Sequence, residues 1–237
     1  MKLYKNRYSL LSSMLLAGMF LQGSLAIGQE RPSKKSQAEQ LYNSLEYSRA
    51  AKAYESLVDV KKPRTLDMER LANSYYQINQ YDLAENWYAR VTQQADASKE
   101  SHLYYAEVLK EQGKYKEAKA QYQAYESKYG NSTSISNSII GADSAVYWMS
   151  HPTNHKLRNE QTINTALAEF GLVPTSGGAV YAGEPNNPLG KTSGMTGEAY
   201  LRVYSAERHA DGSLNYPNVM AGSFNGAEYH VGPMATS

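Results

Sequence analysis

The chain has 237 residues, of which 24 are Lys or Arg and 23 Asp or Glu, giving a net charge of +1; 41% are hydrophobic and none is cysteine. That length holds one large or two small domains. So balanced a charge argues against nucleic acid as a partner, and the absence of cysteine excludes disulfides and thiol chemistry.

Lys2, Lys5 and Arg7 precede an apolar run from Leu10 to Ala26. Basic, then apolar, then small is the order of a secretory signal peptide, predicted here over residues 1–28. Cleavage after Ala26 or Gly28 starts the mature chain at Ile27 or Gln29. An uncleaved anchor is the competing reading, because the run approaches the ~18-residue minimum for spanning a bilayer; Ser12, Ser13, Gln22 and Gly23 weaken it.

Residues 29–151 carry a repeat. Tyr47, Tyr81 and Tyr115 are 34 residues apart, as are Ala50, Ala84 and Ala118, and Tyr54, Tyr88 and Tyr122. Upstream in each copy stand Ala38, Ala72 and Ala106, followed by Leu41, Tyr75 and Leu109. A period of 34 marks stacked helix-turn-helix units. The alanines let two helices cross closely, and Tyr-x-x-Ala-x-x-x-Tyr sets all three side chains on one face that must be buried. Three repeats are predicted. The stretch from Ser134 to Met149 lacks the signature and reads as an amphipathic helix capping the stack.

Residues 152–237 are richer in Gly, Pro, Asn, Ser and Thr, with period-two runs at Ala179–Ala182 and Ala199–Tyr204 and a turn at Ala210–Ser213. These predict strands. The fold class expected is therefore α+β.

The repeat columns resemble the tetratricopeptide-repeat family, with Gly113 at the family's turn glycine and Leu45 and Asn79 standing there in the other copies. In this family the first helix of each unit lines a partner-binding groove. On that face the sequence offers Glu39, Tyr42, Asn43, Glu69, Asn73, Tyr76, Gln77, Leu103, Glu107, Lys110 and Glu111. A mixed polar and aromatic face of this kind suits an extended peptide or a partner helix. If these side chains are exposed, replacing Tyr42, Asn73 and Tyr76 together by Ala leaves melting nearly unchanged.

The second half extends the resemblance. Gly171–Glu184, Tyr200–Tyr204 and Glu228–Pro233 are similar to blades of the β-propeller that follows tetratricopeptide repeats in OmpA-family envelope proteins of Bacteroidetes, a group with PorE-like components associated with type IX secretion. The resemblance implies an N-terminal fragment ending inside a second blade, with Tyr181, Tyr200, Val203 and Tyr204 more exposed than their alternation suggests. It also implies a periplasmic, outer-membrane-associated, non-enzymatic scaffold with protein partners, touching peptidoglycan only through a domain outside this chain. A free periplasmic adaptor or carrier is the alternative, and a propeller-housed hydrolase a more distant one.

No catalytic set, cofactor site or metal site is expected. His151 and His155 have zinc-like spacing, but Pro152 interrupts the helix they would need. Gly190-Lys191-Thr192 lacks the upstream glycine of a phosphate loop, and Ser193 lacks the glycines of a nucleophile elbow. His230 is expected to hydrogen-bond backbone.

Overall fold

The computed structural model describes residues 32–185, 191–226 and 228–232. The predicted signal peptide, Gly190 and the chain from Pro233 onward lie outside the described residues.

Seven helices come first: α1 (Lys34–Asn43), α2 (Tyr47–Val58), α3 (Thr65–Gln77), α4 (Tyr81–Val91), α5 (Lys99–Glu111), α6 (Tyr115–Tyr129) and α7 (Thr133–Ser150). Each packs against the next, and α3 also touches α5, as expected of a stack. The alanine columns explain the close packing. Ala38, Ala72 and Ala106 on the first helices and Ala50, Ala84 and Ala118 on the second are all fully buried, where a larger side chain would hold the axes apart. Tyr54, Tyr88 and Tyr122 fill the space beside them and are likewise buried. Tyr47, Tyr81 and Tyr115, each opening its helix, are only half-buried, so the face expected to be wholly buried is covered from its alanine onward.

The three hairpin turns repeat bond for bond. Glu46, Gln80 and Lys114 donate their amides to Leu41, Tyr75 and Leu109, each at 2.9 Å. Leu45, Asn79 and Gly113 between them adopt φ of 60°, 59° and 72°. This left-handed closure is easy for Gly, tolerable for Asn and unfavourable for Leu. Repeat one nevertheless closes as the others do.

Helix α7 begins 34 residues after α5, which begins 34 after α3. Ser132 caps it by accepting from the Ile135 amide, as Ser98 caps α5 through Ser101. The predicted capping helix thus occupies the place of a fourth first helix. Its C-terminal Tyr147, Trp148 and Met149 are exposed. No described helix is long and apolar enough to cross a membrane.

Four strands follow, β1 (Glu169–Thr175), β2 (Gly178–Gly183), β3 (Arg202–Arg208) and β4 (Leu214–Val219), in an antiparallel meander of order β1-β2-β3-β4. Ser176 and Gly177 form a two-residue hairpin turn, since Thr175 pairs with Gly178. A bulge between Phe170 and Val173 contains Gly171 at φ 65°, where a side chain would be strained. Strand β2 is buried along its whole length.

The strands expected in this half form a single open meander with edges at β1 and β4, and Glu228–Gly232, expected to belong to a second blade, forms no strand. The expected exposure is corrected. Tyr181 and Val203 are buried, not exposed. Ile163 and Leu214 join Ala179 and Ala206 in a small core around Tyr181, with Tyr204 stacked on it at 5.4 Å. Sheet and linker therefore close a core of their own.

Candidate functional site: the face of the first helices

The side chains projecting from α1, α3 and α5 form one connected strip. At its α1 end, Tyr42 donates its hydroxyl to Asn73 Oδ1 at 2.8 Å, and Asn73 Nδ2 donates to the Tyr88 hydroxyl at 3.4 Å. The Arg70 guanidinium lies 4.5 Å over the Tyr42 ring and reaches Asn43 Oδ1 at 3.5 Å. Further along, Tyr104 stacks near-parallel on Tyr88 at 6.1 Å and meets Tyr76 at 5.3 Å, and Tyr76 meets Tyr81 at 5.8 Å. At the α5 end, Glu107 accepts from the Tyr122 hydroxyl at 2.7 Å and from Lys110, which also pairs with Glu111 at 3.4 Å.

The electrostatics follow from this packing. Burial raises the phenol pKa values of Tyr42 and Tyr76, opposed at Tyr42 by the nearby Arg70. Burial pushes Tyr88 and Tyr122 higher still. All four remain neutral at physiological pH; Tyr88 and Tyr122 are buried beneath the strip, so what it offers is the half-buried hydroxyls and ring faces of Tyr42 and Tyr76 rather than charge. Partial burial is the largest single influence on the Lys110 ammonium and pulls it down, but the hydrogen bonds and charges of Glu107 and Glu111 together outweigh it and leave the pKa raised.

The predicted face residues divide into two sets. Tyr42, Asn73, Tyr76, Glu107 and Lys110 belong to the strip; Asn43 and Glu111 are exposed along its edge, with Gln77 half-buried between them. Glu39 is half-buried and pairs with Lys35 at 3.8 Å. Glu69 faces inward: it accepts from the Ser98 amide at 2.7 Å and the Ser101 hydroxyl at 3.0 Å, tying α3 to the start of α5. Leu103 packs into the core of the third repeat. The expectation that Tyr42, Asn73 and Tyr76 are free surface is also corrected, because each is half-buried and bonded to or packed against its neighbours.

Arg70 and Tyr104 were missed. They occupy one repeat position, 34 residues apart, and aligning the first helices column by column would have exposed them. Beyond Lys110 the strip opens into a cavity of about 400 Å³ lined by Tyr115, Ser134, Asn137, Ser138 and Gly141, which carries the face onto α7.

Elsewhere, His151 stacks on Tyr147 at 4.2 Å while His155 contacts Thr153, so the two histidines have separate surroundings. Among the described residues no group of three His, Asp or Glu is placed to hold a metal. Ser193 is buried inside a turn. His230 Nδ1 accepts from the Leu201 amide at 3.2 Å.

No family model matches the sequence, and no curated protein matches it. Among solved structures the chain is similar to the second TPR domain of the human RPAP3 protein, determined in complex with an HSP70 peptide. Identity is 16% and the TM-score 0.42, with 47% of this chain and 92% of that chain covered. Three hairpins whose turns, alanines and tyrosines recur at one spacing make the helical half a tetratricopeptide-like repeat.

Proposed function

We propose that this protein is a non-enzymatic interaction scaffold that binds an extended peptide or a partner helix along the face of α1, α3 and α5. The observation carrying this reading is the continuous strip of neutral tyrosines with Asn73 at its centre. Ring faces and hydroxyls that are already ordered lose little side-chain entropy on binding, and aromatic side chains dominate the energetics of such contacts. At the α5 end Lys110 is shared between Glu107 and Glu111, which leaves a single excess negative charge there, so recognition is mainly by shape and hydrogen bonding.

The cellular setting is part of the same proposal. The basic, apolar and small order of residues 1–28 supports export, and the resemblance to OmpA-family, PorE-like proteins supports a periplasmic, outer-membrane-associated place in type IX secretion. We read the open meander as one blade of a propeller, supported by its strand number and its up-and-down order.

The test uses substitutions at the strip's edge, which leave the bonds among Tyr42, Asn73, Tyr88, Glu107 and Tyr122 in place and give up only the outer Asn43–Arg70 and Glu111–Lys110 contacts. Asn43→Arg, Gln77→Arg and Glu111→Arg together place three long side chains along its edge, at one repeat position. Asn43 and Glu111 are exposed and Gln77 is half-buried at the rim; substitutions at exposed positions cost within about 0.5 kcal/mol each, so the triple variant should stay folded, as its melting curve would show. Recovery of chemically cross-linked envelope proteins should fall at least tenfold. Undiminished recovery by a folded triple variant would refute the reading.

A further inference from the structure

The helices and the sheet belong to one compact unit, Lys34–Ser237, although no helix packs broadly against a strand. Among the described residues, one turn supplies the hydrogen-bonded connection. Thr192 and Ala199 pair as an isolated antiparallel bridge, and the Ser193 and Gly197 amides close the loop between them by donating to Glu198 and Ser193 carbonyls, both at 2.8 Å. Ser193 and Ala199 are buried although they lie in a loop. The turn is therefore stiff and has one face covered.

What covers it is the first repeat. The Ser48 amide, in the first turn of α2, donates to the Met195 carbonyl at 3.1 Å. First-turn amides of a helix have no partner inside the helix, and α2 has no side-chain cap. Asp82 and Lys116 occupy the same place in α4 and α6, and neither amide has a partner among the described residues. Repeat one alone has this donor taken, by a residue 147 positions further along the chain.

The fit is close. A side chain at Gly194 would begin 2.9 Å from Glu46 Oε2, and one at Gly197, whose φ is +83°, would begin 3.1 Å from Ser48 Cβ and collide with its hydroxyl. Glu46 is meanwhile held by Arg49 at 2.7 Å. On the other side of the contact, Tyr47 sets its ring against Tyr42 at 5.6 Å, and Tyr42 bonds Asn73 in the strip.

We propose that the Thr192–Ala199 turn is an intramolecular docking element whose partner is the start of α2. It fastens the β-rich region to the first repeat and braces the α1 end of the tyrosine strip. The glycines at 194 and 197 are the positions that let its backbone come this close. The element does not depend on the strip's binding any partner, so the two readings can fail separately.

Amide exchange of the intact wild-type protein, read by nuclear magnetic resonance, tests it directly. Relative to intrinsic rates, Ser48 should exchange at least tenfold more slowly than Asp82 and Lys116. Equal rates at the three positions overturn the proposal. A pair of variants gives a second reading. Ser48→Pro removes the donor in a first turn, where proline is tolerated, and Asp82→Pro controls for the cost of proline at that place. Exchange of Ser193 and Gly197 should accelerate at least fivefold in Ser48→Pro and stay at the wild-type rate in Asp82→Pro; the same rate in both variants contradicts docking.

Discussion

At the scale of single residues, the three tyrosines of one column show how the same slot carries different chemistry. Tyr54, Tyr88 and Tyr122 are all buried, but the Tyr122 hydroxyl donates to Glu107, the Tyr88 hydroxyl accepts from Asn73, and the Tyr54 hydroxyl has no partner among the described residues. An unpaired buried hydroxyl costs about 1 to 3 kcal/mol, whereas a bond to a charged group contributes about 1.5 to 3 kcal/mol. Tyr54→Phe should therefore raise stability by about 1 kcal/mol and Tyr122→Phe lower it by about 1.5 kcal/mol, measured by urea denaturation at pH 7. Shifts of the same sign would mean that the hydroxyls do not differ as described. The column also sets the alkaline limit. Burial pushes the Tyr54 phenol up to about 12 and raises Tyr88 and Tyr122 as well. A pKa raised on folding contributes stability that is complete below the unfolded value near 10. That stability is lost as pH climbs from there through 12, so Tm should hold from pH 7 to 9 and fall above 10.

At the scale of elements, what could be read from sequence is what repeats. Six alanines and six tyrosines at one spacing located three hairpins, because each column answers one packing demand met three times. Helix α7 was recognised without its register, since Ile140 stands where Ala38, Ala72 and Ala106 would have marked a fourth first helix. Strand β4 was not foreseen at all: Leu214-Asn215-Tyr216-Pro217-Asn218-Val219 carries little apolar alternation and contains a proline. Proline is compatible with a strand only at an edge or a bulge, and β4 is an edge. Of the face residues, Tyr42 and Tyr76 were legible from their column, whereas the inward turn of Glu69 toward Ser98 depends on where α5 begins in space. Ala84 is the central small residue of the stack and fully buried. Ala84→Leu should overpack that crossing and cost about 1 to 3 kcal/mol, read as a lower urea midpoint; an unchanged midpoint would place Ala84 away from the crossing.

At the scale of the whole molecule, a stack of repeats draws its stability from neighbouring units, while the sheet holds a separate small core around Tyr181. Residues 151–159 between them are exposed throughout. Lys156 lies in that stretch, whereas Arg158 is engaged by Glu160 and by the Gly212 carbonyl at 2.8 Å. Brief trypsin treatment should cut after Lys156 first and leave two resistant fragments that co-elute in gel filtration, because the docking turn still joins them. Rapid loss of the sheet fragment would show that it cannot stand without the covalent link. The account as a whole rests on the claim that the face of α1, α3 and α5 is where partners bind. The most direct test is a photo-activated cross-linker placed at Asn43 or Gln77 on that face, and at exposed Lys52 or Lys116 on α2 and α6, in protein expressed in its native cells. The account predicts discrete cross-linked proteins, common to Asn43 and Gln77 and absent from Lys52 and Lys116. The same products from all four positions, or products from the second helices alone, would contradict it.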